Sequence, residues 1–277
     1  EQNHQVHLFE KNEKLGKKLF ITGKGRCNIT NSCDEETFFQ SVVSNPKFLY
    51  SAFYGYTNRD VIAFFESLGL AVKEERGGRI FPVSDHSSDV IKVLEQRMKA
   101  LDVKIHLKSR VEKVLTENSL EGEEKIRGVL LENGAEILAD RVIIATGGCS
   151  YQATGSTGDG YTFARETNHK VTELRPALVP IETKEEYVKD MQGLALKNVR
   201  FTVKDGKKVL YDDFGELLFT HFGISGPLVL TASSRIGKKL EKKELQAFLD
   251  LKAALSEEQL DGRLLREFEN GKNKQFK

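Results

Sequence analysis

The chain has 277 residues, room for one large α/β domain and a smaller second one. Lys plus Arg (42) nearly cancels Asp plus Glu (41), so there is no net positive field for non-specific nucleic-acid binding, and no nucleic-acid partner is expected. The apolar runs are far too short to cross a bilayer and no charged-then-apolar leader opens the chain, so the expectation is a soluble, cytoplasmic protein with no membrane partner.

In chain order, Val6 to Phe9 reads as a short strand that ends on Glu10-Lys11. In dinucleotide-binding folds an acidic residue at the end of the second strand accepts hydrogen bonds from ribose hydroxyls, and Glu10 fits that position. A surface glutamate is the plainer alternative. The G-x-G-x-x-G fingerprint belonging some 20 residues earlier is absent, and the chain opens without Met on Glu1-Gln2-Asn3-His4. The expectation is therefore a piece of a longer protein, with the first strand and glycine loop before residue 1.

Gly23-Lys24-Gly25-Arg26-Cys27-Asn28 combines main-chain N–H groups with fixed positive charge, which suits a pyrophosphate or an electron-rich ring. No Ser or Thr follows the Gly-Lys pair, so it is not a Walker loop. Residues 34 to 69 read as helices with polar breaks. Thr57 to Asp60 resembles a capping box for Val61 to Leu68, with Gly69 as the stop. Gly77 to Pro82 is a turn into an extended segment, and Ser87 or Ser88 is expected to cap a helix running to Leu101.

From Val103 the apolar period changes to two: Val103–Leu107, Arg110–Val114 and Ile126–Leu131 are expected strands, and Asn133-Gly134 is a hairpin signal before Glu136 to Leu138. This small meander leads to Arg141–Thr146, whose Val142, Ile143, Ile144 and Ala145 suit a parallel strand buried on both faces. Gly147-Gly148 ends it, and a second glycine cluster, Gly155 to Gly160, follows after a polar loop, an arrangement that lets backbone come close to a ligand. Further on, Asp205-Gly206 marks a hairpin between Leu194–Val203 and Lys208–Tyr211. Pro227 reads as a helix start, Leu245–Leu251 as a last strand, and Ser256 to Gln259 as a capping box. His221 has obvious chemical potential, although a lone His is more often structural. Cys27, Cys33 and Cys149 form no C-x-x-C pair and read as reduced thiols, with no metal site expected.

Glu10 at a strand end, GKGRCNITN at 23–31, VIIATGG at 142–148, GSTGDGY at 155–161 and GELLFTHFGISGP at 215–227 together resemble a family of NAD(P)/FAD-dependent oxidoreductases. That family includes aminoacetone oxidase and a bile-acid-reducing flavoprotein. The resemblance implies an α/β fold: a two-dinucleotide-binding-type Rossmann domain for FAD over residues 1–180, an inserted β-rich domain over 181–252, and the start of a small helical part over 253–277. Carried over by position, it implies that Glu10 holds the adenosine ribose and the Val111 main chain meets the adenine, with Lys11 also among the cofactor-binding residues. Lys17, Gly25, Arg26, Cys27 and Asn28 would line the cofactor, with Ala145, Thr146, Gly147, Gly148, Thr157 and Gly158 passing close to it. FAD would carry hydride chemistry between NADH or NADPH and a small-molecule substrate. The rival readings are a nucleotide-binding module without turnover and a tRNA-modifying flavoprotein.

Overall fold

The computed structural model describes residues 4–118 and 124–272. Two compact units are present, Glu1–Thr172 and Glu173–Lys277. No described helix is long and apolar enough to cross a membrane.

The first unit carries β1 (His7–Glu10), α1 (Lys17–Ile21), β2 (Thr30–Asn31), α2 (Glu35–Ser41), α3 (Tyr50–Gly55), α4 (Asn58–Ser67), β3 (Val72–Glu75), β4 (Arg79–Pro82), α5 (Ser87–Ala100), β5 (Lys104–Leu107), β6 (Val111–Asn118), β7 (Glu124–Leu131), β8 (Glu136–Leu138) and α6 (Asp159–Glu166). β1 pairs in parallel with β5, Glu10 standing opposite Leu107. β2, β4 and β3 form a small antiparallel sheet, and β6, β7 and β8 form the expected meander. The core between α4, α5 and the small sheet is built from Cys27, Phe65, Leu70 and Val90, with Leu19, Ile29 and Val93 packed around them.

Local signals decide where helices begin. Thr57 and Asp60 form the expected reciprocal capping box on α4. α5 differs from expectation: its N-cap is His86, which supplies no side-chain cap, and Ser87 lies inside the helix with its hydroxyl donating to the Phe20 carbonyl at 2.8 Å. The larger correction concerns Arg141–Thr146. It is not a strand, and no described strand pairs with it. Ile143 is 91% exposed and Ile144 44%, so an apolar run that reads as doubly buried has neither a ladder partner nor a covering layer here.

The second unit comprises β9 (Ile181–Glu182), α7 (Tyr187–Asp190), β10 (Ala195–Asp205), β11 (Lys208–Thr220), β12 (Gly223–Ser225), α8 (Pro227–Leu240), β13 (Gln246–Asp250) and α9 (Glu257–Asn270). Its antiparallel sheet has the order β13-β10-β11-β12-β9. Phe201, Leu217, Val229, Ala232 and Ile236 are almost fully buried between sheet and α8. Alternation along β10 and β11 places one face on α8 and the other in solvent, which accounts for the period-two reading of this region. β11 runs nine residues further than Tyr211, where the sequence reading ended it. Ser256 and Gln259 cap α9 as expected.

Candidate dinucleotide-binding site

The sequence-predicted residues of the first unit fall into two groups. The first gathers at the end of β1. Glu10 is half-buried, and its Oε1 accepts from the Asn12 backbone N–H and the Asn12 side-chain amide, both at 2.8 Å. Asn12 also donates to the Thr154 carbonyl at 3.1 Å. Lys11 donates to the Thr157 hydroxyl at 2.6 Å and to Asp159 at 2.8 Å. The end of β1 is thus laced to the glycine-rich loop before α6. Burial acts to raise the Asp159 carboxyl, but hydrogen bonds from Lys11 and Thr157 outweigh it and hold the group below its ordinary value.

The glycines explain how closely these segments approach. The Gly158 N–H donates to the Gly148 carbonyl at 3.2 Å, joining the two glycine clusters. A Cβ on Gly155 would lie 2.6 Å from the Asn12 amide, and one on Gly160 would lie 2.6 Å from the Thr146 hydroxyl. No larger residue could occupy either place without moving backbone or partner. Ala145, Thr146 and Gly147 are exposed beside this loop, and Gly148 is half-buried.

Val111, at the start of β6, lines a recess together with Arg110, Glu112, Glu132, Asp159, Thr162 and Phe163. The recess measures about 160 Å³, below the roughly 300–1,000 Å³ of pockets that enclose a drug-sized ligand. It can seat a ring or a sugar, not a whole dinucleotide. A carboxylate has about four lone-pair sites, so Glu10 keeps acceptor capacity beyond the two bonds from Asn12.

The second group lies on the turn from Thr22 to Asn28. Gly23, Lys24, Gly25 and Cys27 all have positive φ, between 56° and 87°. Where Gly25 would carry a Cβ there is open space, so its backbone is accessible to a ligand. Cys27 points inward, 3% exposed, and burial pushes its thiol pKa up. Asn28 is exposed. Arg26 turns to the β3–β4 sheet: it donates to Glu75 and to Asp85, the latter at 2.5 Å, and stacks over Phe81 at 4.2 Å from the ring centre. Lys73 donates to Asp85 at 2.6 Å, which completes a neutral four-charge cluster. The hydrogen bond from Arg26 lowers the Glu75 pKa, and those from Lys73 and Arg26 lower that of Asp85.

Lys17, the first residue of α1, pairs with Glu13 in the segment that precedes the helix. Its neighbour Lys18, which the sequence reading passed over, reaches the glycine loop instead, donating to the Ser150 carbonyl at 3.0 Å and hydroxyl at 2.8 Å and to the buried Ser156 hydroxyl at 3.3 Å. Helical phase was the available signal. Leu19 packs inward, so Lys17, about 200° around the helix, points away while Lys18 lies on the flank. Asn12 and Asp159 were passed over as well. In the second unit His221 is exposed, its ring edge-on to Phe222. No group of three or more metal-ligating side chains occurs among the described residues.

Comparison with known proteins follows this geometry. Residues 1–248 match the model of the HI0933-like protein Rossmann domain. The chain is 35% identical over 247 residues to the 3-dehydro-bile acid delta(4,6)-reductase of Clostridium scindens, covering 89% of this chain and 58% of the relative. It is 33% identical over 231 residues to the ribosomal RNA dihydrouridine synthase of Haemophilus influenzae, covering 83% and 55%, and 30% identical to the protein of that name from Escherichia coli, covering 83% and 54%. The chain thus spans a little over half the length of these relatives. Two of them carry RNA in their names, so the balance of charge over the whole chain is too coarse a reason to exclude a nucleic-acid partner.

Proposed function

Since the chain belongs to the HI0933-like Rossmann-domain family, we propose that it contributes the adenosine side of the FAD site of an FAD-dependent oxidoreductase. The observation that carries this reading is Glu10, fixed by Asn12 at the end of a strand paired in parallel with β5, with the recess at Val111 and the Gly147–Gly158 loop in the same unit. Bound FAD would supply two-electron hydride chemistry.

The chain's own residues have defined tasks in this reading. Glu10 accepts from the ribose hydroxyls, and Asn12 holds its carboxylate in place. Lys11 and Lys18 hold the loop around Gly155 in place, Lys11 through Thr157 and Asp159 and Lys18 through Ser150 and Ser156. The open backbone at Gly25 permits close approach of a cofactor along the 22–28 turn. The names of the relatives describe saturation of carbon–carbon double bonds, and we extend that reaction class to this chain, with NADH or NADPH as hydride donor. The first reading of the substrate is a small conjugated carbonyl compound. The second is a uridine in RNA, favoured by the two dihydrouridine synthase relatives.

Equilibrium titration with FAD and with ADP tests the adenosine site. Glu10→Ala should weaken both by about 1–3 kcal/mol, the range for a hydrogen bond to a charged group, while FMN, which lacks adenosine, should not compete with ADP. Unchanged ADP affinity in the variant would remove Glu10 from the site. Anaerobic spectra of the FAD-loaded protein with NADPH, then with a conjugated enone or a uridine-containing RNA, separate the two substrates by which one restores the oxidised spectrum.

A further inference from the structure

Lys11 and Lys18 both reach the glycine-rich loop over residues 147–158, and they differ in what becomes of their charge. Lys11 ends on the Asp159 carboxylate at 2.8 Å, so it arrives as half of an ion pair. Lys18 ends on neutral oxygens only: the Ser150 carbonyl at 3.0 Å, the Ser150 hydroxyl at 2.8 Å and the Ser156 hydroxyl at 3.3 Å. No carboxylate among the described residues pairs with it, whereas Lys17 is neutralised by Glu13, and Arg26 by Glu75 and Asp85.

Lys18 is half-buried. Drawing a charge part-way out of water costs free energy that dipoles return only in part. An anion that meets such a group gains the Coulomb attraction without first breaking an ion pair. A side chain that only stapled the loop would have no use for an uncompensated charge.

Glu10 is the opposite case. Its carboxylate accepts from the two Asn12 N–H groups, and no cation among the described residues pairs with it. Asn12 in turn donates to the carbonyl of Thr154, two positions before Ser156. The same short loop is therefore tied to an unpaired carboxylate at one point and to an unpaired ammonium at another. A nucleotide has the matching polarity: ribose hydroxyls donate at one end, and phosphates bring negative charge at the other.

We propose that Lys18 binds the diphosphate of the dinucleotide whose ribose Glu10 holds. The proposal rests on the adenosine reading above and adds the side chain that recognises the anion. A phosphate oxygen replaces the longest of the three bonds, the one to Ser156, and the Ser156 hydroxyl has its own proton to donate to the same ligand. Gly147 keeps backbone close to that hydroxyl, since a Cβ there would lie 3.0 Å from it.

The test compares ADP with adenosine, which differ by the diphosphate alone, in equilibrium titrations of the 277-residue chain. Lys18→Met should lower the ratio of ADP to adenosine affinity about tenfold or more, the loss of a charged hydrogen bond. Lys18→Arg keeps the charge and should hold the ratio within about threefold of the parent's. Glu10→Ala should weaken both ligands and leave the ratio alone, because both carry the ribose. If Lys18→Met weakens the two ligands equally, or neither, Lys18 is a staple of the loop and the proposal is overturned while the adenosine site stands. No binding of either ligand by the parent chain overturns both.

Footprinting of the parent chain does not depend on how the variants fold. Saturating ADP should slow acetylation of Lys18 about fivefold or more, read by peptide mass mapping, and adenosine by less than about twofold. The exposed Lys47 and Lys92 serve as references whose rates stay constant. Lys18 labelling that ADP does not slow overturns the proposal. Inorganic pyrophosphate that protects Lys18 as well as ADP does would assign the ammonium to a free anion and overturn the dinucleotide as its ligand.

Discussion

Arg26 shows how far a single residue can be read from its neighbours in sequence. Flanked by Gly25 and Cys27, it reads as a fixed cation for a cofactor. In the structure its guanidinium is engaged by Glu75 and Asp85, 49 and 59 positions away, and no local pattern encodes those partners. The cluster ties the left-handed 22–28 turn to the β3–β4 sheet, and Cys27, buried within that turn, reports on whether the tie holds. Arg26→Gln, or Glu75→Gln with Asp85→Asn, should raise the rate of alkylation at Cys27 by about fivefold or more at neutral pH, measured by peptide mass mapping. Both carboxylates have depressed pKa values in the folded chain, so their contribution is present above their unfolded values and is lost only as pH falls through the lowered folded ones. The tie should therefore survive mild acidification, and alkylation that accelerates already just below neutrality would place the protection elsewhere.

At the scale of elements, signals carried within a few residues were legible and pairing was not. The capping boxes at Thr57 and Ser256 and the hairpins at Asn133-Gly134 and Asp205-Gly206 stand where the sequence puts them, because each depends on contacts inside one turn. β2 and β3 went unread because strands of two and four residues carry almost no period. Arg141–Thr146 was misread because composition reports how apolar a segment is, not what covers it. β12 gives a direct check on pairing. A Cβ on Gly223 would sit 2.2 Å from the Ile181 carbonyl oxygen, where β9 and β12 meet. Gly223→Ala should cost about 1–3 kcal/mol, as overpacking does, read as a lower urea midpoint for the second unit. A midpoint equal to the parent's would mean that β9 does not pair there.

For the whole molecule, the expected α/β class is what the sheets and helices show, whereas a charge balance averaged over the chain is too coarse to exclude a nucleic-acid partner. The two units have separate cores, so denaturation should show two transitions instead of one. The residues proposed to hold FAD lie in the first unit. Saturating FAD should then raise only the transition of that unit, by about 2.7 kcal/mol at a hundredfold excess over Kd. Differential scanning calorimetry with and without FAD decides it, and a common shift of both transitions would couple the units or extend the site into the second.

The exposed run from Val142 to Thr146 has a consequence for how the protein behaves at high concentration. Four of its five residues are β-branched, it is uncharged and free of proline, and no described strand pairs with it, which is the description of a seed for intermolecular cross-β stacking. Ile143→Lys replaces a side chain that is almost entirely in water, so unfolding stability should change by no more than about 0.5 kcal/mol. Light scattering by a concentrated solution should nevertheless grow more slowly in the variant, because a lysine in the middle of the run repels the next copy before a fibril nucleus can form.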